Sequence, residues 1–157
     1  VARLPVNSER EISSVIKQCL SNLAKLNGAD KNNTVICHGD LNFSNVIVEH
    51  KSARVIDFEA ISLMPIEYDI AMMLAVNELP CSYITHACVS YSNAVNDNLP
   101  LNSLNPQLVE AFYPIALLIN GLWYLSEHHK RLNNDQYLKK AQIQFKSIVA
   151  LGEITLL

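Results

Sequence analysis

The chain has 157 residues, of which 50% are hydrophobic and 17% charged, and its 12 Lys and Arg against 15 Asp and Glu give a net charge of -3. That length fits one domain with a core of its own, and that composition excludes a disordered tail. The slightly acidic balance, with no run of Lys and Arg, argues against a nucleic-acid surface.

Read from its start, Val1 to Arg10 lacks the apolar centre and small-residue cleavage site of a signal peptide. The chain opens on Val rather than Met, which suggests a missing or processed beginning. Ser8 with Glu11 predicts a capping box, and Ile12, Val15, Ile16, Cys19, Leu20, Leu23 and Leu26 recur at helical spacing up to Asn27-Gly28. Residues 27–33 form a polar loop. Thr34 to Cys37 is a short β-prone run. Residues 45–49 and 54–57 are two more, and the polar turn from His50 to Ala53 between them predicts a β-hairpin. No other strand pair is expected.

The remainder reads as helical. Glu67 to Leu79 stops at Pro80, and Tyr83 to Val95 breaks at residues 96–100. Asn105-Pro106 opens a helix with Asn as cap and Pro at the first helical position. That helix is apolar nearly all round to Leu125, which predicts burial, with a kink at Pro114. A last helix spans about 134–151. The longest continuous apolar run, near Ile115 to Leu118, is far too short to span a bilayer, so no membrane partner is expected.

Cys19, Cys37, Cys81 and Cys88 form no CxxC pair and no zinc-finger spacing with histidine. Reduced thiols and a cytoplasmic location are expected. Two Asn-x-Ser/Thr sites, at Asn32 and Asn42, are chance matches without export.

The chemistry concentrates between residues 35 and 59. His38, Asp40, Asn45, Asp57 and Glu59 stand at the ends of predicted strands in apolar surroundings, where an unpaired carboxylate is costly. The hairpin brings Asn45 and Asp57 side by side, and Asp40 precedes Asn45 by one short loop. Two carboxylates and one amide oxygen at a loop mouth form a hard-oxygen site of the kind Mg2+ takes, sharing substrate phosphates. Phosphoryl transfer needs this set: one acid orients the attacking hydroxyl, while the amide and second acid hold the metal.

His38-Gly39-Asp40 with Asn45, followed by Ile56-Asp57-Phe58-Glu59, resembles the catalytic and metal-binding motifs of the aminoglycoside phosphotransferase and choline kinase superfamily. Residues 65–71 also look like the helix start that follows in that family. The resemblance implies an α+β, mostly helical fold, namely a protein-kinase-like C-terminal lobe with a small hairpin at its catalytic site. It implies an ATP- and Mg2+-dependent phosphotransferase acting on a hydroxyl of a small molecule, such as an aminoglycoside, choline, homoserine or thiamine. Asp40 would be the catalytic base, and Asn45 and Asp57 the Mg2+ and nucleotide-phosphate ligands. His38 and Asp69 would brace the loop, and Glu59 would help hold metal or face a cationic substrate. Asn42 and Ser44 depart from the His and Gly common at those positions, which bears on the substrate more than on the reaction.

The resemblance also requires an N-terminal lobe with a phosphate-covering loop and a strand lysine, for which the residues before Thr34 give no strand context. The whole span 1–157 is therefore expected to be a C-terminal lobe, inactive alone. The rival of another class is a catalytically silent kinase-like module that binds a ligand or partner. A metal-dependent hydrolase on the same acids is weaker, because the ligands are too few for two metals. His128-His129 invites a metal reading, but adjacent residues do not share a helix face, and stabilisation of the helix end is the simpler account. Trp123 and Tyr124 could wall a quaternary ammonium, with core packing the simpler role.

Overall fold

Residues 10, 12–14, 16–18, 20–21, 24, 34–50, 52–95, 104–131 and 134–155 are described by a computed structural model of the protein. The predicted capping box at Ser8 and Glu11, the loop at 27–33 and the break at 96–100 lie outside them.

Described positions between 10 and 24 are helical. Ile12 is buried and Ile16 packs against the core, as the apolar face there requires. The chain then forms β1 (Val35–Cys37), a 3-10 turn (Phe43–Asn45), β2 (Val46–Glu49), β3 (Ser52–Val55) and β4 (Ser62–Met64). Four α-helices follow among the described residues: α1 (Ile66–Val76), α2 (Ile84–Ala94), α3 (Pro106–Lys130) and α4 (Asp135–Thr155). The architecture is α+β and mostly helical.

The predicted hairpin is present as β2 and β3, with Val46 opposite Val55 and Glu49 opposite Ser52. Its connection is two residues long, shorter than the four predicted. Such a turn needs left-handed backbone, and His50 supplies it at φ 53°. An Arg54–Glu49 ion pair closes the hairpin end. A second pair was not expected: β4 returns antiparallel to β1, with Val35 opposite Met64 and Cys37 opposite Ser62. The reversal from β3 to β4 runs through residues 56–61, which include Asp57 and Glu59.

Helix α3 is the central element and packs on both α1 and α4. Asn105 caps it by accepting from the Gln107 N–H at 3.1 Å, with Pro106 opening the helix. Pro114 lies within the helix without ending it. Leu74, Val109, Leu117 and Ile148 form the fully buried centre, each worth roughly 1.5–3 kcal/mol of apolar burial. Asn120 and Gln144 donate from α3 and α4 to one acceptor, the Ala75 carbonyl of α1, and so tie three helices together.

Two expectations for α3 are corrected. The helix runs on to Lys130, and its length and composition would suffice to cross a membrane, contrary to the reading of short apolar runs. Here it serves as the core helix, with 56% of that stretch buried. It is also not covered all round. Ile119, Leu122 and Trp123 share one exposed face, so Trp123 is not core, whereas Tyr124 is buried.

Candidate active site

The loop after β1 is held from below by α1. Asp69 sits in the first turn of α1, buried, and accepts from the backbone N–H of His38 at 2.9 Å and of Gly39 at 2.8 Å. Both carboxylate oxygens are therefore engaged. Charge-assisted bonds to two successive amides fix the backbone from which the Asp40 side chain projects.

His38 ties this loop to the segment after β3. Its Nδ1 accepts from the Asp40 N–H at 3.3 Å, and its Nε2 lies 3.0 Å from the Ile56 carbonyl. An acceptor at Nδ1 and a carbonyl at Nε2 together select the Nε2–H tautomer. The ring also packs on Phe58, with centroids 4.8 Å apart. Gly39 approaches the same segment so closely that a Cβ there would lie 2.5 Å from the Ala60 carbonyl oxygen.

Asp40 and Asn45 are in direct contact. The Asn45 amide Nδ2 donates to the Asp40 carbonyl at 3.0 Å and to its carboxylate Oδ2 at 3.2 Å. With Nδ2 engaged on Asp40, Oδ1 is the amide atom of Asn45 that could meet a cation. The Asn45 carbonyl accepts from the Ile56 N–H at 2.9 Å, which places the base of Asp57 against Asn45. Asp57 itself is exposed and held at φ 67°, a left-handed conformation that costs a non-glycine residue energy. Glu59 is exposed in the turn two residues on.

Direct hydrogen bonds thus join His38, Asp40, Asn45 and Asp69, and Asp57 joins them through the backbone of Ile56. Among the described residues, no three His, Cys, Asp or Glu side chains gather into a metal cage. The donor set is one amide oxygen with one or two accessible carboxylates. That fits Mg2+, which keeps its waters and takes further oxygens from phosphates, and it does not fit a transition-metal cluster.

One positioning residue carries no sequence signal. Asn77, at the C-terminal end of α1, donates from Nδ2 to the Leu41 carbonyl at 2.9 Å and accepts at Oδ1 from the Phe43 N–H at 2.8 Å. It clasps the loop between Asp40 and Asn45 from its far side. Asn42 caps the 3-10 turn, its Oδ1 accepting from the N–H and hydroxyl of Ser44.

Beneath the loop, Cys37 is fully buried and its thiol faces the Met64 and Pro65 carbonyls. Burial, with the nearby Asp69 charge, pushes its pKa up to about 11. Cys37, Cys81 and Cys88 are free thiols.

The aromatic group around Trp123, Tyr124 and Tyr137 already holds cations of the chain itself. Lys140 lies over the Tyr124 ring at 5.2 Å and Arg131 over the Tyr137 ring at 5.3 Å. His128 Nδ1 pairs with the Asn134 carbonyl at 2.9 Å, joining α3 to the start of α4.

Residues 3–98, more than half of the chain, match the sequence profile of a family described as the phosphotransferase enzyme family, APH. No curated protein matches the chain significantly.

Proposed function

Because the chain belongs to the phosphotransferase enzyme family, we propose that it is the catalytic lobe of an ATP- and Mg2+-dependent kinase that phosphorylates a hydroxyl of a small molecule. The observation that carries this reading is the contact between Asn45 and Asp40, set on a loop that Asp69, His38 and Asn77 hold from three sides.

In this reaction the acceptor hydroxyl gives its proton to the Asp40 carboxylate as its oxygen forms a bond to the γ-phosphorus of ATP. The bond from that phosphorus to the β,γ-bridging oxygen breaks, and ADP leaves. Asn45 orients Asp40 through Nδ2. Its Oδ1 and the Asp57 carboxylate would hold Mg2+, which when bound supplies charge neutralisation on the phosphates. Most of the rate then comes from positioning.

A kinase-like site of this form needs a second lobe over the nucleotide. Ile47, Ile56 and Phe58, in the hairpin and the segment after it, are exposed apolar side chains that such a lobe could cover.

The test is ADP release by the full-length protein with ATP, Mg2+ and a panel of alcohols. Asp40→Ala is expected to lower kcat by roughly 10²–10⁴-fold, the scale of a general base, with ATP affinity unchanged. Turnover in that variant equal to wild type would overturn the assignment. No turnover by the wild type with any alcohol would leave the catalytically silent binding module as the better reading.

A further inference from the structure

The C-terminal end of α1 is bonded on two sides, with each residue from Ala75 to Leu79 in polar contact with another part of the chain. Toward the helical core, the Ala75 carbonyl accepts from Asn120 and Gln144. The Glu78 carboxylate pairs with Lys140 of α4 at 3.0 Å, and the Leu79 carbonyl accepts from the Tyr113 hydroxyl of α3 at 2.7 Å. Toward the loop that carries Asp40, the Val76 carbonyl lies 3.5 Å from the Asn42 amide nitrogen, and Asn77 holds both Leu41 and Phe43.

The turn that ends the helix is a Schellman cap. The Leu79 N–H donates to the Leu74 carbonyl at 2.9 Å, and the Glu78 N–H to the Ala75 carbonyl at 3.1 Å. Such a cap needs left-handed backbone at one residue, here Glu78 at φ 57°. Glycine takes that conformation without steric cost, and glutamate does not. What glutamate adds is a carboxylate that reaches Lys140. Strained backbone persists where its surroundings hold it, and here Lys140 holds Glu78 while Tyr113 holds Leu79. As a source of stability the ion pair is weak, because its side chains are 48% and 36% exposed. Its place in the chain gives it another use: Glu78 directly follows Asn77, so the aim of the Asn77 side chain depends on where this turn is held.

We infer that Glu78 and Lys140 are positioning residues for Asp40, acting through the Asn77 clasp on the loop between Asp40 and Asn45, a role that rests on the phosphotransferase reading above. The path runs through consecutive contacts: Lys140 to Glu78, Glu78 to Asn77 along the backbone, and Asn77 to Leu41 and Phe43. Helix α4 thereby sets the geometry of a site to which it contributes no group of its own.

The experiment measures two quantities in the full-length protein: kcat for Asp40-dependent ADP release, and amide hydrogen exchange at Phe43, whose N–H donates to Asn77. Glu78→Gly removes the carboxylate and relieves the backbone. Lys140→Met removes the charge and keeps a long side chain beside the Tyr124 ring. Both variants are expected to lower kcat about two- to thirtyfold, to leave KM for ATP unchanged, and to speed exchange at Phe43. The urea midpoint should be unchanged in Lys140→Met and unchanged or higher in Glu78→Gly, so lost stability does not account for lost turnover. Lys140→Arg is expected to behave as wild type, and so is Lys139→Met at the exposed neighbouring position. Lys140→Met decides the matter if Glu78→Gly does not fold. Wild-type kcat in both variants, or a fall in kcat without faster exchange at Phe43, would overturn the inference. Faster exchange at Phe43 in both variants of a protein that releases no ADP would instead remove the kinase reading and leave the link from α4 to the loop. Asp40-dependent ADP release with Phe43 exchange unchanged in both variants would remove the link and leave the kinase.

Discussion

At Gly39 the backbone lies at φ 79°, and an added Cβ would meet the Ala60 carbonyl oxygen at 2.5 Å. Left-handed backbone costs an L-residue about 1–2 kcal/mol by itself, and the clash adds to it. Gly39→Ala is therefore expected to lower stability by at least about 2 kcal/mol in urea denaturation, and to reduce activity more than stability alone explains. Ala60→Gly should not rescue it, because the obstacle is a backbone oxygen. This residue-scale logic was partly legible in the sequence. His38, Asp40, Asn45 and Asp57 stand out because polar groups at strand ends need partners, and the proposed chemistry rests on their spacing. Asn77 does not stand out. Its two bonds to the loop cross 34 to 36 positions of chain, and a lone Asn past a helix end looks like any cap. The left-handed turn at Asp57 was equally silent, since Asp occurs there without the signature that Gly would give.

Helices and strands differ in how far periodicity and punctuation announce them. α1 and α2 appear where apolar spacing places them, although α1 ends at Val76 with Asn77 as its cap rather than running to Leu79 before Pro80, and the Asn105-Pro106 opening of α3 is a cap with a visible mechanism. β4 is the element that was missed. Three residues, Ser62, Leu63 and Met64, are too few to show alternation, and their partner β1 lies 27 residues away, so only tertiary pairing defines them. The C-terminal part of α3 misled for a related reason. Leu122 and Trp123 are apolar but exposed, and composition alone cannot separate a buried face from an uncovered one. Where α3 and α4 cross, Gly121 lets the Phe145 ring approach so closely that an added Cβ would lie 2.9 Å from Cε1. Gly121→Ala is expected to destabilise the protein by about 1–3 kcal/mol, since this contact has no spare room. Equilibrium unfolding checks it, and Phe145→Leu in the same chain should recover part of the loss.

Taken whole, the molecule combines a helical core with two small two-stranded sheets that carry the candidate site. Burial raises the pKa of two neutral groups, one in β1 and one in α3. Burial raises the Cys37 thiol from 9.0 to about 11 and the Tyr113 hydroxyl, which donates to the Leu79 carbonyl at 2.7 Å, from 10.0 to about 12. Each raised pKa means that the folded chain holds its proton longer than the unfolded chain. Their contribution to stability is thus whole below about pH 9 and is lost between pH 9 and about 12. Thermal unfolding followed across that window should show a falling midpoint. Tyr113→Phe should flatten the part of the fall above pH 10 while lowering the midpoint at neutral pH, because it leaves the Leu79 carbonyl unpaired.

Everything proposed for function depends on Asn45 and Asp57 acting on one ion beside Asp40. Mn2+ can replace Mg2+ as a paramagnetic probe in the full-length protein with ATP, read through backbone amide line widths. The account predicts that the signals of Asp40, Asn45 and Asp57 broaden first and that Asp57→Asn restores them. Broadening centred elsewhere, or unchanged by that substitution, would contradict it.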